Sequence, residues 1–171
     1  MPRAFQSLRI YLASSSRNTL IDDVLAAVRG AGHEAYDFRA SGRGPAQIFP
    51  PREIWKPESY VEAITDPIAQ TQFAADLAAL NAADCVILAT PCGNDAHAEA
   101  GYAHGRNTPV IVHLSEGFRP GLMHRLSNGF TADIPSLLFA LTRIVPRDAT
   151  ATGDLTAPDL NPFPLPSSRY A

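Results

Sequence analysis

The chain has 171 residues, enough for one domain with a substantial core but not for two full domains. Its 14 Lys and Arg against 17 Asp and Glu leave a net charge of −3, so it carries no basic footprint for nucleic acid or an anionic membrane. Two cysteines, no signal-peptide pattern and no apolar run of the ~18 residues that span a bilayer predict a soluble protein of a reducing compartment, the cytoplasm.

The first half of the chain alternates short apolar runs with runs of helical spacing. Residues 8–13 and 33–38 have the length and composition of short strands, and residues 18–32 repeat apolar side chains at helical spacing before a glycine. Residues 66–83 predict a helix with proline in its first turn. The side chains predicted to be buried along that helix are Ile68, Phe73, Leu77 and Leu80.

The second half continues this alternation and completes an α/β pattern. Its predicted elements are a strand over 84–90, a helix over 94–105, a strand over 109–114, a weaker strand over 129–132 and a helix over 134–145. Strands alternating with helices predict a flavodoxin-like three-layer sandwich, about five parallel strands with helices on both faces. Such folds bind ligands beyond the carboxyl ends of the strands, which here selects the loops 13–18, 39–60 and 90–95.

Two regions depart from this pattern. Residues 39–60 are too long for an ordinary connection and contain four prolines together with Phe49, Trp55 and Tyr60. This composition favours a loop that acts as a lid and covers a ligand site. Residues 147–171 are rich in proline and show no periodicity, so we predict a domain over 1–146 followed by a tail.

One acidic residue stands in a helix of small residues. Glu99 lies about one turn into the helix that follows the most apolar strand, within "GNDAHAEAGYAHG" (93–105). An acid near the start of a helix is often there only because it complements the helix dipole. A carboxylate that faces the crevice among small neighbours has a second interpretation, because partial desolvation could tune it as a nucleophile.

The stretch around Glu99 also carries a resemblance. "ADCVILATPCGNDAHAEAGYAHGRNTPVIV" (83–112) is similar to the central signature of the nucleoside 2-deoxyribosyltransferase-like family, in which an aspartate-led strand and a short loop precede Glu-x-Gly-Tyr-Ala. "RIYLASSS" (9–16) resembles the family's first strand and loop, and "AADLAAL" (74–80) its helix with a pocket aspartate. The resemblance covers roughly residues 8–145.

The resemblance implies catalytic roles for three residues. Glu99 matches the glutamate that attacks the anomeric carbon of a 2-deoxyribose and releases the base. Asp76 matches the aspartate that contacts the base and assists its protonation. Tyr11 stands near a first-strand aromatic residue that helps to place the nucleophile.

One position departs from the family pattern. The family's transferases keep an aspartate six residues before the glutamate to bind sugar hydroxyls, and here that position is Gly93, with Asn94 and Asp95 close by. Relatives that hydrolyse deoxynucleoside 5′-monophosphates also lack that aspartate. The departure weakens transfer in particular and leaves N-glycoside hydrolysis open.

The loop after the first strand is a candidate binding site. Hydroxyl and N–H groups of Ser14 and Ser15, with the charge of Arg17, suit a phosphate or a sugar hydroxyl at the start of a helix. The alternative is an ordinary serine N-cap. The loop lacks the glycine patterns of dinucleotide and P-loop sites, although it resembles the phosphate loops of flavodoxins, so an FMN-binding protein stays an alternative.

Aromatic and basic side chains near the crevice complete the candidate set. Phe38 and Trp55 could stack on a base, and Arg39 could reach a phosphate or the lid, although core packing and surface exposure explain such residues equally well. "HAE" (97–99) resembles the His-x-Glu of zinc deaminases but lacks the cysteine pair that must follow it, so we expect no metal. His97 and His104 are interpreted as surface or packing histidines.

These observations converge on one function with two alternatives. We expect cleavage or exchange of the N-glycosidic bond of 2-deoxynucleosides or their 5′-monophosphates through a covalent glutamyl-sugar intermediate. The partners would be a small nucleoside or nucleotide and a free nucleobase, without a cofactor, in a homo-oligomer. The alternatives are a non-catalytic nucleotide-binding or sensor domain of the same fold, which the Gly93 departure favours, and a flavodoxin-like FMN protein.

Overall fold

The computed structural model describes residues 6–41, 56–119 and 121–147. Its strands are β1 (Arg9–Ala13), β2 (Glu34–Tyr36), β3 (Cys85–Ala89), β4 (Val110–His113) and β5 (Gly129–Thr131). Its α-helices are α1 (Ile21–Gly30), α2 (Pro57–Thr65), α3 (Pro67–Ala82), α4 (Asn94–Gly105) and α5 (Ile134–Leu141). Short 3₁₀ turns cover Phe38–Ser41 and Leu122–Leu126.

The five strands form one parallel sheet in the order β2-β1-β3-β4-β5. The predicted α/β architecture and its flavodoxin-like strand order are therefore confirmed. The order reverses between β1 and β3, so the loops that follow these two strands flank the crevice in which such sheets bind ligands.

Each strand contributes alternate side chains to two separate cores. On one face, Ile10 and Ile87 pack with buried residues of α1 and α5. On the other face, Tyr11 and Val86 pack with buried residues of α3 and α4. Because successive strand residues point to opposite faces, the parity of a strand residue decides which helices it meets. Tyr11 consequently faces the helix that carries Glu99.

The predicted buried face of α3 is only partly correct. Leu80 is buried and Leu77 half-buried, but Ile68 is 42% and Phe73 66% exposed. The helix reaches the core through its carboxyl-terminal half, where Leu80 and Ala79 pack in the second core. Helix α3 also contacts α2, a helix that begins inside the region predicted to be a lid and extends beyond it. Most of that lid, with Phe49 and Trp55, lies outside the described residues, as does the predicted tail beyond residue 147.

Asp84 anchors the end of the sheet opposite the crevice. Its side chain is buried and accepts hydrogen bonds from the backbone N–H and the guanidinium of Arg9 and from the backbone N–H of Arg147, at 2.8 to 3.2 Å. Burial by itself would raise the pKa of this carboxyl, but the donors from Arg9 and Arg147 outweigh it and hold the pKa below its usual value. The aspartate that begins the β3 run is therefore a structural residue.

Two sequence expectations concern the cysteines and the membrane. Cys85 and Cys92 are both free thiols. No helix in the described ranges has the length and apolarity needed to cross a bilayer.

Candidate active site

Tyr11 and Glu99 meet between the sheet and helix α4. The phenolic hydroxyl of Tyr11 donates a hydrogen bond to Glu99 Oε1 at 2.8 Å. Helix α4 can lie close to the sheet because its buried residues, Ala96, Ala100 and Ala103, are all small. This close packing leaves Glu99 half-buried, with its carboxylate within reach of a strand residue.

The setting of Glu99 changes its acidity. Burial is the largest influence and raises the pKa of Glu99 to about 7, and the nearby charges of Asp76 and Asp95 act in the same direction. The hydrogen bond from Tyr11 opposes this rise, because it stabilises the ionised carboxylate. Burial and the neighbouring Glu99 charge also raise the pKa of Tyr11, which keeps its hydroxyl a donor. A carboxyl that titrates near neutral pH is typical of functional sites.

A second phenol–carboxylate pair lies beside the first. The hydroxyl of Tyr36 donates to Asp76 Oδ1 at 2.8 Å, and Gln72 Nε2 donates to the same oxygen at 2.9 Å. The rings of Tyr11 and Tyr36 are stacked, with centroids 5.4 Å apart and planes at 17°. Burial and Asp76 raise the pKa of Tyr36 to about 12, so this phenol also remains protonated.

The structure therefore brings the three predicted catalytic residues into one cluster. It adds Tyr36 and Gln72, which the sequence analysis did not select. Tyr36 is the register partner of Tyr11 on the neighbouring strand, a relationship that becomes visible once the parallel pairing is known. Gln72 lies one turn before Asp76 on α3, the spacing at which helical side chains interact, and this signal was present in the sequence.

The loop after β1 is held together by its own hydrogen bonds. Ser14 Oγ donates to the carbonyl of Ala89 at 2.8 Å, and Asn18 Nδ2 donates to both groups. Ser15 Oγ accepts from the backbone N–H of Arg17 at 3.3 Å, and the Arg17 side chain is exposed. This loop thus joins the carboxyl ends of β1 and β3 beside the crevice.

Helix α1 begins without a serine cap. Neither Ser14 nor Ser15 caps the helix. Just before the helix begins, Asn18 Oδ1 accepts a hydrogen bond from the backbone N–H of Leu20 at 2.9 Å. An open crevice beside this turn is lined by Asn18, Thr19, Leu20, Pro91, Ser115, Glu116, Gly117 and Phe118. Glu99 is not among its lining residues.

Phe38 and Arg39, two of the predicted binding residues, lie apart from Glu99. Phe38 packs against the core on the opposite face of the sheet, with α1. Arg39 forms ion pairs with Asp37 and Asp22 at 2.9 and 2.6 Å, so its guanidinium holds the end of β2 to α1. Trp55 lies outside the described residues.

The start of helix α4 provides the remaining predicted binding residues. Gly93 is the N-cap residue, and Asn94 and Asp95 form the exposed first turn. A Cβ atom at Gly93 would meet nothing within 4 Å. The position at which the family's transferases have an aspartate is therefore open space beside Glu99's helix.

A histidine pair joins α4 to the turn before β5. His97 Nε2 and His124 Nε2 are 3.0 Å apart, and their rings are stacked. His97 Nδ1 lies 2.8 Å from the carbonyl of Gly93, which can only accept, so this nitrogen is protonated. His124, which was not singled out from the sequence, is buried with Nδ1 unpartnered among the described residues. Across those residues, no three or more His, Cys, Asp or Glu side chains are grouped to hold a metal ion.

Comparison with known proteins shows a shared fold. No protein-family model matches the chain, and no curated protein matches it at a significant level. Among solved structures, it is similar to a 2-deoxyribosyltransferase of Bacillus psychrosaccharolyticus, with 21% identity and a TM-score of 0.54 over 80% of this chain and 97% of that chain.

Two weaker likenesses were also found. A CMP N-glycosidase of Clostridium botulinum is 17% identical with a TM-score of 0.42, covering 78% of this chain and 96% of that one. A conserved protein of Enterococcus faecalis V583 is 13% identical with a TM-score of 0.43, covering 82% and 78%. At 21% identity, the likeness to the 2-deoxyribosyltransferase shows the fold alone, and the chemistry of this chain has to be argued from its own side chains.

Proposed function

We propose that this protein belongs to the nucleoside 2-deoxyribosyltransferase-like family and cleaves the N-glycosidic bond of a 2-deoxynucleoside or its 5′-monophosphate. The observation that carries the proposal is the half-buried Glu99 carboxylate, held by Tyr11 at 2.8 Å with its pKa raised to about 7 by burial. The resemblance around Glu99, Asp76 and Tyr11 supports it, and so does the fold shared with a 2-deoxyribosyltransferase.

In the first step, Glu99 acts as the nucleophile. An oxygen of its ionised carboxylate bonds to C1′ of the sugar while the bond from C1′ to the base nitrogen breaks and its electron pair leaves with the base. The product is a glutamyl-sugar ester. Tyr11 fixes one carboxylate oxygen at 2.8 Å and leaves the other for the attack.

Asp76 assists departure of the base. The departing nitrogen carries negative charge unless it gains a proton, and a carboxyl group beside it can supply that proton. Asp76 is suited to this role because its own phenol partner, Tyr36, stacks on the phenol partner of Glu99. The two acids, on helices α3 and α4, are thereby held in one cluster by phenols from neighbouring strands.

The second step decides between transfer and hydrolysis. An incoming base nitrogen or a water oxygen bonds to C1′, the ester bond breaks, and Glu99 is released as a carboxylate. The incoming nucleophile loses its proton to Asp76 or to solvent. Gly93 in place of a sugar-binding aspartate favours hydrolysis, since the sugar is then held less firmly for a second base.

We further propose that the protein assembles as a homo-oligomer. Several large apolar side chains on α2 and α3 are between 40% and 66% exposed: Tyr60, Val61, Ile64, Ile68 and Phe73. Exposed apolar surface of this kind is typical of faces that associate. Sedimentation of the wild type and of Phe73→Asp tests this, and equal monomeric mass for both would reject it.

The catalytic proposal is tested by product analysis. The protein is incubated with deoxynucleosides and their 5′-monophosphates, with and without a free acceptor base, and the products are separated by chromatography. We expect free base from the wild type, none from Glu99→Gln, and full turnover from Asp23→Asn, which alters an exposed acid on the opposite face. Undiminished turnover by Glu99→Gln would remove Glu99 from the mechanism. Thermal stabilisation by a nucleotide without product would instead favour the binding or sensor domain.

A further inference from the structure

One oxygen of Asp76 accepts both of its hydrogen bonds. Tyr36 and Gln72 donate to Oδ1 at 2.8 and 2.9 Å from two different elements, strand β2 and helix α3. Within the described part of the chain, no hydrogen bond to Oδ2 is formed. Two donors on one oxygen leave the carboxyl group little freedom to rotate, so the direction of Oδ2 is set by the same contacts.

The Tyr36 side chain is itself held firmly. It ends the short strand β2, it is half-buried, and its ring stacks on that of Tyr11 at 5.4 Å. Tyr36 and Tyr11 are also register partners in the sheet. Because Tyr11 in turn holds Glu99, the ring of Tyr36 links the two acids, while its hydroxyl touches only Asp76 among the contacts described.

We propose that Tyr36, aided by Gln72, is a positioning residue that aims Oδ2 of Asp76 at the base as it departs. This inference rests on the function proposed above. When the bond from C1′ to the base breaks, the base nitrogen takes the electron pair and gains the proton that Oδ2 holds in the substrate complex. Asp76 is left as a carboxylate and regains a proton from the incoming nucleophile or from solvent before the next turnover. Tyr36 and Gln72 donate to Oδ1 throughout and transfer no proton.

The hydroxyl and the ring of Tyr36 can be separated by substitution. Tyr36→Phe keeps the stacked ring and its burial but removes the donor, so Asp76 can rotate while Tyr11 and Glu99 keep their contact. Gln72→Leu removes the second donor from the helix side. Tyr102→Phe is a matched control, because the hydroxyl of Tyr102 donates to Asn81 at 2.8 Å, outside the cluster.

The test compares substrates that differ in their need for a proton. If the wild type prefers purines, 2′-deoxyguanosine is paired with 7-methyl-2′-deoxyguanosine, whose base already carries positive charge. If it prefers pyrimidines, 2′-deoxyuridine is paired with 5-fluoro-2′-deoxyuridine, whose base leaves more readily. Steady-state kcat and KM are measured for each variant, and thermal melting confirms that each variant is folded.

We expect Tyr36→Phe to lower kcat on the ordinary substrate about 10- to 100-fold and on the activated one less than about 3-fold, with KM little changed. Gln72→Leu follows the same pattern with a smaller loss, and Tyr102→Phe matches the wild type. An equal loss on both substrates would overturn the inference, because Tyr36 would then act through Tyr11 or through the fold. No loss on either would overturn it as well. Absence of base release by the wild type would reject the proposed function itself, and the inference with it.

Discussion

The hydroxyl of Tyr11 lies 2.8 Å from Glu99 Oε1 and donates the hydrogen bond that favours the ionised form of a half-buried carboxylate. Burial and the charges of Asp76 and Asp95 act against that form, so Glu99 titrates near pH 7. The hydrogen bond from Tyr11 thus offsets part of the free-energy cost of burying the ionised Glu99 carboxylate.

Replacement of Tyr11 by Phe should raise the pKa of Glu99. A nucleophilic carboxylate works only when ionised, so kcat/KM of the wild type should rise as the pH increases through about 7. Without the Tyr11 hydroxyl, we expect this rise to move to higher pH and activity at pH 6 to fall about tenfold or more, with a smaller loss at pH 9. A pH profile of kcat/KM measures both. An unchanged midpoint in Tyr11→Phe would contradict the role of the hydrogen bond.

Replacement of Glu99 by Gln should stabilise the fold at alkaline pH. The folded pKa of Glu99, about 7, lies above its unfolded value, so ionisation of the buried group costs stability as the pH rises from about 4.5 to beyond 7. Gln keeps an oxygen for Tyr11 and carries no charge. After allowance for partial exposure, we expect a gain of about 1–2 kcal/mol in the free energy of unfolding at pH 8 and almost none at pH 5. Urea denaturation at both pH values measures the difference, and an equal effect at both would count against a pKa near 7.

Replacement of Gly93 by Asp should be tolerated and should change the site. Gly93 is the N-cap of α4 at φ −93°, a Cβ there meets nothing within 4 Å, and aspartate is among the best N-cap residues. We expect a gain of a few tenths of a kcal/mol in stability. The new charge also lies six residues, less than two helical turns, before Glu99 and should raise its pKa, moving the activity profile to higher pH.

The neutral variant Gly93→Asn separates the two effects of that substitution. It provides the same cap without the charge, so it should stabilise the helix and leave the pH profile where it is. A displaced profile in Gly93→Asn would show that the cap, and not the charge, affects Glu99. The ratio of transfer to hydrolysis in Gly93→Asp, measured with a free base present, shows whether the sugar is held more firmly.

Asp84 should be one of the most sensitive positions for stability. Its buried carboxylate accepts several donors from Arg9 and the backbone of Arg147, and a buried donor left without its partner costs about 1–3 kcal/mol. We expect Asp84→Ala to lose roughly that much in urea denaturation, without a specific effect on KM. Because the folded pKa of Asp84 is lowered, its contribution is present above its ordinary pKa and disappears as the pH falls through the folded value. A loss below about 1 kcal/mol would show that the pair is dispensable.

Because of the histidine pair, the stability of the fold should decrease in mildly acidic solution. Burial and the neighbouring His97 lower the pKa of His124, so the fold prefers its neutral form. That contribution is complete above the unfolded pKa of about 6.5 and decreases as the pH falls below it. We expect the melting temperature of His124→Gln to change less between pH 7 and pH 5 than that of the wild type. Parallel pH dependence in the two proteins would assign the acid sensitivity elsewhere.

The sequence predicted every strand of the sheet because the strand runs are short, apolar and separated by helices. The continuous apolar run at 84–90 correctly indicated a strand covered on both faces, β3. Helix α2 was missed because it begins at Pro57 in a stretch that otherwise has the composition of a loop. The exposure of Ile68 and Phe73 could not be predicted from spacing, since periodicity defines a face but not how much of its length reaches the core.

From the sequence, the candidate site could be predicted only at residues that stand out individually. Glu99 stood out by its small neighbours, and the resemblance selected Asp76 and Tyr11. Tyr36 was missed because its importance depends on cross-strand register, which a single sequence does not display. Phe38, the aromatic residue that was selected, lies two residues further along and packs on the opposite face of the sheet, in agreement with the core-packing alternative.

The stacked tyrosines belong to adjacent strands, and strands in a sheet are separated by about 4.8 Å. The spacing of the two phenol rings, 5.4 Å between centroids, therefore follows from a backbone dimension. A substrate of different size has to be accommodated by the loops and helices around the cluster, while the two phenols that hold the acids keep the spacing of their strands.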